Sequence, residues 1–124
     1  MTGAAGRFVW IVLICVCAQN TAPLLRASPG QRSIATVSIA ELPKEAQQTI
    51  ALIKKGGPYP YRKDGAVFGN FERRLPLHDR GYYREFTVPS PGARNRGARR
   101  IIQGKAGEFY YTGDHYETFR LVRE

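Results

Sequence analysis

The chain has 124 residues, of which 19 are basic and 10 acidic, for a formal net charge of +9. That length excludes a multidomain arrangement. Such an excess of positive charge calls for a polyanionic partner, nucleic acid or an anionic cell surface, and does not choose between them.

The first segment does not read as domain material. Arg7 precedes an unbroken apolar run, Phe8–Ala18, of eleven residues ending in small side chains. A helix needs about 20 residues to cross a bilayer core. A charged start, a short apolar centre and a small-residue exit match a secretory signal peptide. The run lacks the amphipathic stripe of a buried first helix, which leaves an uncleaved anchor as the alternative. Val16-Cys17-Ala18, Thr21-Ala22 and Arg26-Ala27 are candidate cleavage points. The expected organisation is a leader over residues 1–27 and a domain over residues 28–124, exported to the extracellular space. Cys15 and Cys17 leave with the leader, so the domain is expected to hold no cysteine. Loss of Arg7 and Arg26 leaves 17 basic against 10 acidic residues, a net of +7.

Ile34–Ile39 alternates apolar and polar residues with β-branched content and predicts a short strand. Leu42-Pro43 opens a helix, in which Ala46, Ile50 and Ile53 recur at helical spacing on one face. Lys54 and Lys55 suit its C-terminal end, and Gly56-Gly57-Pro58 stops it. Beyond the aromatic turn Tyr59–Gly65 comes a brief run, Ala66–Phe68. Four clearer strands follow: Tyr82–Val88, Arg99–Gln103, Glu108–Thr112 and Tyr116–Val122. Their links, Gly104–Gly107 and Thr112–His115, are short enough for hairpins. One main helix followed by an antiparallel meander gives an α+β fold, with the helix on one sheet face and the other face open.

Side chains alternate along a strand. Tyr83, Glu85 and Thr87 share one face, and Tyr82, Arg84, Phe86 and Val88 the other. The more apolar set should meet the helix, leaving Glu85 on the open face. Ile101 is the expected core residue of the next strand, so Arg100 points with Glu85. Ile102 then shares that open face, which requires a bulge or a local cover. With the strands paired in order, Glu85, Arg100 and His115 converge from three neighbours.

A carboxylate, an imidazole and a guanidinium together suit cleavage of RNA through its own 2′-hydroxyl. A base takes the 2′-OH proton, the oxyanion attacks phosphorus, and an acid protonates the departing 5′-oxygen. Arginine answers the charge that grows on the non-bridging oxygens. The two histidines and scattered carboxylates show no metal-ligand spacing, so no metal and no cofactor is expected. Each residue alone has a plainer reading. Glu85 can be a solvated strand residue paired with Arg84 or Arg100, and His115 a surface turn residue. Arg94, Arg96, Arg99 and Arg100 can be a solvated loop, although four arginines within seven residues favour phosphate contact. Asp114 neighbours His115 but need not orient it, and His78 has no partner nearby in sequence.

The runs Gly-Tyr-Tyr-Arg-Glu-Phe-Thr-Val, Pro-Gly-Ala-Arg-Asn-Arg-Gly-Ala-Arg-Arg-Ile-Ile and Tyr-Tyr-Thr-Gly-Asp-His-Tyr closely resemble the small secreted bacterial guanyl-specific ribonucleases, the barnase-like group. Leu-Pro-Lys-Glu-Ala, Gly-Pro-Tyr-Pro-Tyr and Asp-Gly-Ala-Val-Phe-Gly-Asn extend the likeness over nearly all of Ile34–Val122. The resemblance implies Glu85 as general base and His115 as general acid, with Arg96 and Arg100 on the phosphate and Tyr116 lining the phosphate and base site. For guanine it implies Glu72 as the reading carboxylate, with backbone amides from Phe68–Phe71, including Asn70. Guanine offers N1–H and its N2 amine to one carboxylate; adenine would leave a buried Glu72 unpaired. Tyr61, Phe68 or Tyr116 would stack on the base.

Two departures from the family pattern stand out. Ser38 occupies the place of a cysteine whose disulfide joins the first strand to the C-terminus in relatives, a cross-link of a kind worth ~2–4 kcal/mol. Gly69 and Phe71 replace polar or basic residues in the guanine loop. The expectation is an endoribonuclease, monomeric, cutting single-stranded RNA after guanosine through a 2′,3′-cyclic phosphate. The alternatives are a non-catalytic basic protein that coats nucleic acid or an anionic envelope, and the same nuclease used as an antibacterial toxin beside a small acidic inhibitor. The coating protein gives Glu72, Glu85 and His115 no reason to occur in matching order.

Overall fold

The computed structural model describes residues 33–124 together with Gly3. The expected leader, with its candidate cleavage points, otherwise lies outside the described residues. From Ala35 onward the order is β1 (Ala35–Ser38), a 3-10 turn (Ile39–Glu41), α1 (Lys44–Lys55), β2 (Ala66–Phe68), β3 (Tyr83–Thr87), β4 (Arg100–Gly104), β5 (Phe109–Thr112) and β6 (Arg120–Arg123). The six strands form one sheet in the order β1-β6-β5-β4-β3-β2. From β2 to β6 every pairing is antiparallel, as expected for the meander. The first strand departs from it by pairing with β6 in parallel, Val37 opposite Val122 and Ser38 opposite Arg123. This ladder joins the first strand of the domain to its last.

Helix α1 begins just after Pro43, whose carbonyl accepts from the amides of Ala46 and Gln47. It ends at Gly56, which takes the left-handed conformation (φ 90°) that a side chain would resist. Its inner stripe, Ala46, Ile50 and Ile53, packs on Phe86, Val88, Ile101 and Phe109, with Val37, Leu42 and Val122 completing the core. Burying an aliphatic side chain such as Ile50 contributes roughly 1.5–3 kcal/mol. The helix therefore fixes which strand residues turn away from it.

The opposite sheet face is not open. Ile102 is fully buried there among Leu75, Tyr83, Tyr110 and Phe119. Leu75 comes from the long β2–β3 connection, which is tied down where the Tyr83 hydroxyl donates to the carbonyl of Pro76 (2.6 Å). A local cover, rather than a bulge, accommodates Ile102. Only the part of this face bearing Glu85, Thr87 and Arg100 is left beside the loops.

Candidate active site

Register brings the central residues together. Glu85 stands opposite Ile102 and Thr87 opposite Arg100, so Glu85, Thr87 and Arg100 share the face that α1 leaves free. The Glu85 carboxylate is largely buried and receives two donors. Tyr116 Oη donates to Oε2 at 2.7 Å, and Arg96 Nη2 donates to Oε1 at 3.3 Å. Arg96 is itself held by Thr87, whose Oγ1 accepts from Nε (3.0 Å). Burial, and then the bond to Glu85, push the Tyr116 hydroxyl above its ordinary range, so it stays protonated as a donor.

Arg100 is only 2 % exposed. Its Nη1 donates to the carbonyls of Gly97 (2.9 Å) and Arg99 (2.7 Å), and its Nε to Tyr116 Oη (3.2 Å). The guanidinium also lies 5.8 Å from the Tyr116 ring. Among the described residues Arg100 forms no direct ion pair. A guanidinium so desolvated gains strongly from an anion brought beside it.

His115 does not sit on a strand. The expected strand Tyr116–Val122 begins only at Arg120, and residues 113–119 form a loop. Asp114 builds that loop: Oδ1 accepts from Thr112 Oγ1 (2.9 Å) and from the amide of Thr118 (2.9 Å), and Oδ2 accepts from Thr118 Oγ1 (2.5 Å). Burial raises the Asp114 carboxyl, but these bonds outweigh it and hold the group below its ordinary range. The amide of His115 donates to the carbonyl of Ala98 (3.0 Å), tying this loop to the arginine loop. The His115 ring is exposed and, with Asn95, Arg96, Gly97 and Ala98, lines a shallow depression.

On the other side of Tyr116 lies a cavity of about 150 Å³ lined by Phe68, Asn70, Phe71, Glu72, Arg74, Tyr116 and Phe119. The Phe68 ring stacks on Tyr116, centroids 5.2 Å apart. The Asn70 side chain is spent on the loop itself: its amide donates to the carbonyl of Leu75 (2.9 Å) and its oxygen accepts from the Leu75 amide (3.1 Å). Phe71 is 82 % exposed, and its ring lies against Gly69, where an added Cβ would meet it at 2.5 Å. Glycine at 69 and phenylalanine at 71 are thus one packing solution. Glu72 differs from the expectation of a buried carboxylate. Its side chain is 72 % exposed and paired with Arg74 Nε at 2.7 Å, because the loop turns outward around it.

Among the described residues the non-glycine positions with positive φ are Asn70 (50°), Arg73 (54°), His115 (56°) and Tyr116 (70°). All belong to the two loops that form the site, where unfavourable backbone is tolerated for the sake of placement. Tyr61 is not brought in; its amide donates to Asp64 in the preceding turn, on the β2 side. His78 stacks on Tyr82 at 3.7 Å, outside the site. No group of three or more His, Cys, Asp or Glu placed to hold a metal ion occurs among the described residues. Thr87, Arg74 and Asp114 are the supporting residues that sequence reasoning passed over. Strand alternation already put Thr87 beside Glu85, and Arg74 is two residues from Glu72; Asp114 gave a signal only as a turn former.

A family model described as ribonuclease matches residues 26–123. The chain is 57% identical over 88 residues to guanyl-specific ribonuclease Sa of Kitasatospora aureofaciens, covering 70% of this chain and 92% of that protein. To guanyl-specific ribonuclease St of Saccharopolyspora erythraea it is 56% identical over 86 residues, covering 69% and 85%. A solved structure of ribonuclease Sa2 in complex with mononucleotides superposes with a TM-score of 0.74 at 50% identity, over 75% of this chain and 97% of that one. Ribonuclease Sa2 has also been solved with guanosine-2′-cyclophosphate (TM-score 0.71, 52% identity, 73% and 97% covered).

Proposed function

The chain belongs to the ribonuclease family, and from that premise we propose that it is a guanyl-specific endoribonuclease cutting single-stranded RNA on the 3′ side of guanosine. The observation that carries the reading is the Glu85–Tyr116–Arg100 arrangement. A carboxylate, held by Tyr116 and Arg96, stands next to a buried guanidinium that forms no direct ion pair among the described residues.

In the first step Glu85 accepts the 2′-OH proton and the 2′-oxygen attacks the adjacent phosphorus. The bond to the 5′-oxygen breaks, and His115, entering as imidazolium, gives that oxygen its proton. Arg96 and Arg100 stabilise the charge that builds on the non-bridging oxygens. The products are a 2′,3′-cyclic phosphate and a free 5′-hydroxyl. In the second step the roles reverse. His115 takes a proton from water, the resulting hydroxide attacks phosphorus, and the 2′-oxygen leaves with the proton held by Glu85. A 3′-phosphate remains. Glu72 receives N1–H and the N2 amine of guanine, while amides of the Phe68–Phe71 segment serve its O6. The aromatic wall of Phe68 and Tyr116 borders the base.

The reading includes export after removal of residues 1–27 and action as a monomer. A small acidic inhibitor, where the producer needs protection, would dock on the basic face around Arg96 and His115.

The test is digestion of a defined single-stranded RNA in the presence of EDTA, with every fragment end mapped. Guanosine 2′,3′-cyclic phosphate ends, maturing to 3′-phosphates, are expected. Cuts spread evenly over the four bases would remove the guanine assignment. Ends carrying a 5′-phosphate, or loss of cleavage in EDTA, would remove the mechanism.

A further inference from the structure

Arg74 stands between the two halves of the site and bonds to both. Its Nε donates to Glu72 Oε2 at 2.7 Å, and its Nη1 donates to the backbone carbonyl of Glu117. Glu117 directly follows Tyr116, whose hydroxyl donates to Glu85 at 2.7 Å. One guanidinium thus joins the loop bearing Glu72 to the loop bearing His115 and Tyr116. Arg74 and Glu72 also line both the cavity of about 150 Å³ beside Tyr116 and a larger neighbour of about 490 Å³.

We propose that Arg74 is a positioning residue for base reading, holding Glu72 in the orientation that accepts two donors from one guanine edge. The proposal rests on the guanosine reading above. A carboxylate has about four lone-pair sites on two oxygens. The Arg74 Nε–H occupies one on Oε2, leaving Oε1 and the rest of Oε2 for a pair of parallel N–H groups. Glu72, with a side chain 72 % exposed, has little packing to hold it, so its rotamer depends on this bond. The planar guanidinium donates in two directions at once, to Glu72 and to Glu117. A lysine ammonium keeps the charge without that fork.

The experiment is steady-state cleavage of the dinucleoside phosphates GpU, IpU and ApU by the wild type, Arg74→Ala, Arg74→Gln and Arg74→Lys. Inosine differs from guanosine by loss of the N2 amine, so the GpU to IpU ratio reports whether Glu72 takes both donors. Both Arg74→Ala and Arg74→Gln are expected to raise KM for GpU about five-fold with kcat unchanged, and to shrink the GpU to IpU ratio. Arg74→Lys is expected to fall between them and the wild type. An unchanged or lowered KM with the ratio intact in folded Arg74→Ala and Arg74→Gln would overturn the proposal. So would a fall in kcat alone. A wild type that cuts ApU as well as GpU would instead overturn the guanosine reading.

Discussion

Glu85 illustrates how a single residue is committed by its neighbours. On a bare strand it would be a solvated carboxylate with many partners. Here it accepts from Tyr116 and Arg96, and Tyr116 stays a donor because burial and Glu85 raise its hydroxyl. Both donors can shift toward substrate oxygens, which leaves a carboxylate free to take a proton. Glu85→Gln keeps the shape and the acceptor oxygen but removes the basicity. Its kcat on GpU is expected to fall about 10²–10⁴-fold, and His115→Ala should lose a similar amount. RNA binding, measured by fluorescence anisotropy on a non-cleavable 2′-deoxyguanosine oligomer, should survive both changes. Turnover near the wild-type rate in either variant would take that residue out of the proton-transfer role.

At the scale of elements, the helix and the side on which Glu85 lies were legible because they follow from periodicity, and the strand order from β2 to β6 because strands adjacent in sequence tend to pair. Ala46, Ile50 and Ile53 name one helix face, and alternation along Tyr83–Thr87 names the other side of the sheet. The β5–β6 connection was not legible in the same way. Tyr116–Phe119 carries aromatic and β-branched residues that look strand-like, yet Asp114 captures Thr118 by amide and hydroxyl and closes a loop instead. The outward turn of Glu72 was equally hidden, since it depends on Arg74 reaching Glu117 across 43 positions of sequence. Asp114→Ala removes the loop's internal acceptor and should cost about 1–2 kcal/mol of stability while lowering kcat through a misplaced His115. Because the folded Asp114 carboxyl is held below its usual 3.8, its stabilising share is present above that pH and lost as pH falls through the lower folded value. The difference in stability between wild type and Asp114→Ala should therefore narrow below about pH 4. A gap that stays constant down to strong acid would show that the carboxylate's charge does not hold the loop.

For the whole molecule, two collective properties decide behaviour away from neutral pH and low salt. Burial raises the hydroxyls of Tyr83, Tyr110 and Tyr116, and a bond to Glu108 raises that of Tyr82. Raised folded values mean that the unfolded chain releases these protons first, so their stabilising share is intact below about pH 10 and is lost as pH rises through the folded values. Urea midpoints measured from pH 8 to 12 should fall steeply above 10, and Tyr110→Phe should flatten the fall. A midpoint insensitive to pH over that range would contradict the burial of these rings.

The second property is charge. The chain carries a formal net charge of +9; Arg94, Arg96 and Arg100 fall in one short segment beside the site, while Arg99 turns to Glu45 of α1 at 3.6 Å. Each phosphate neutralised on single-stranded RNA contributes about −0.7 to the slope of log affinity against log salt. GpU presents one phosphate, whereas an oligomer reaches beyond the scissile one to the exposed Arg94. The salt slope of KM should accordingly be steeper for a guanosine-containing decamer than for GpU, with kcat at saturation little changed. Arg94→Ala should reduce the decamer's slope by about 0.7 and leave that of GpU alone. Equal slopes for the two substrates would mean that only Arg96 and Arg100 meet phosphate, and that the remaining positive charge serves attraction at a distance rather than contact.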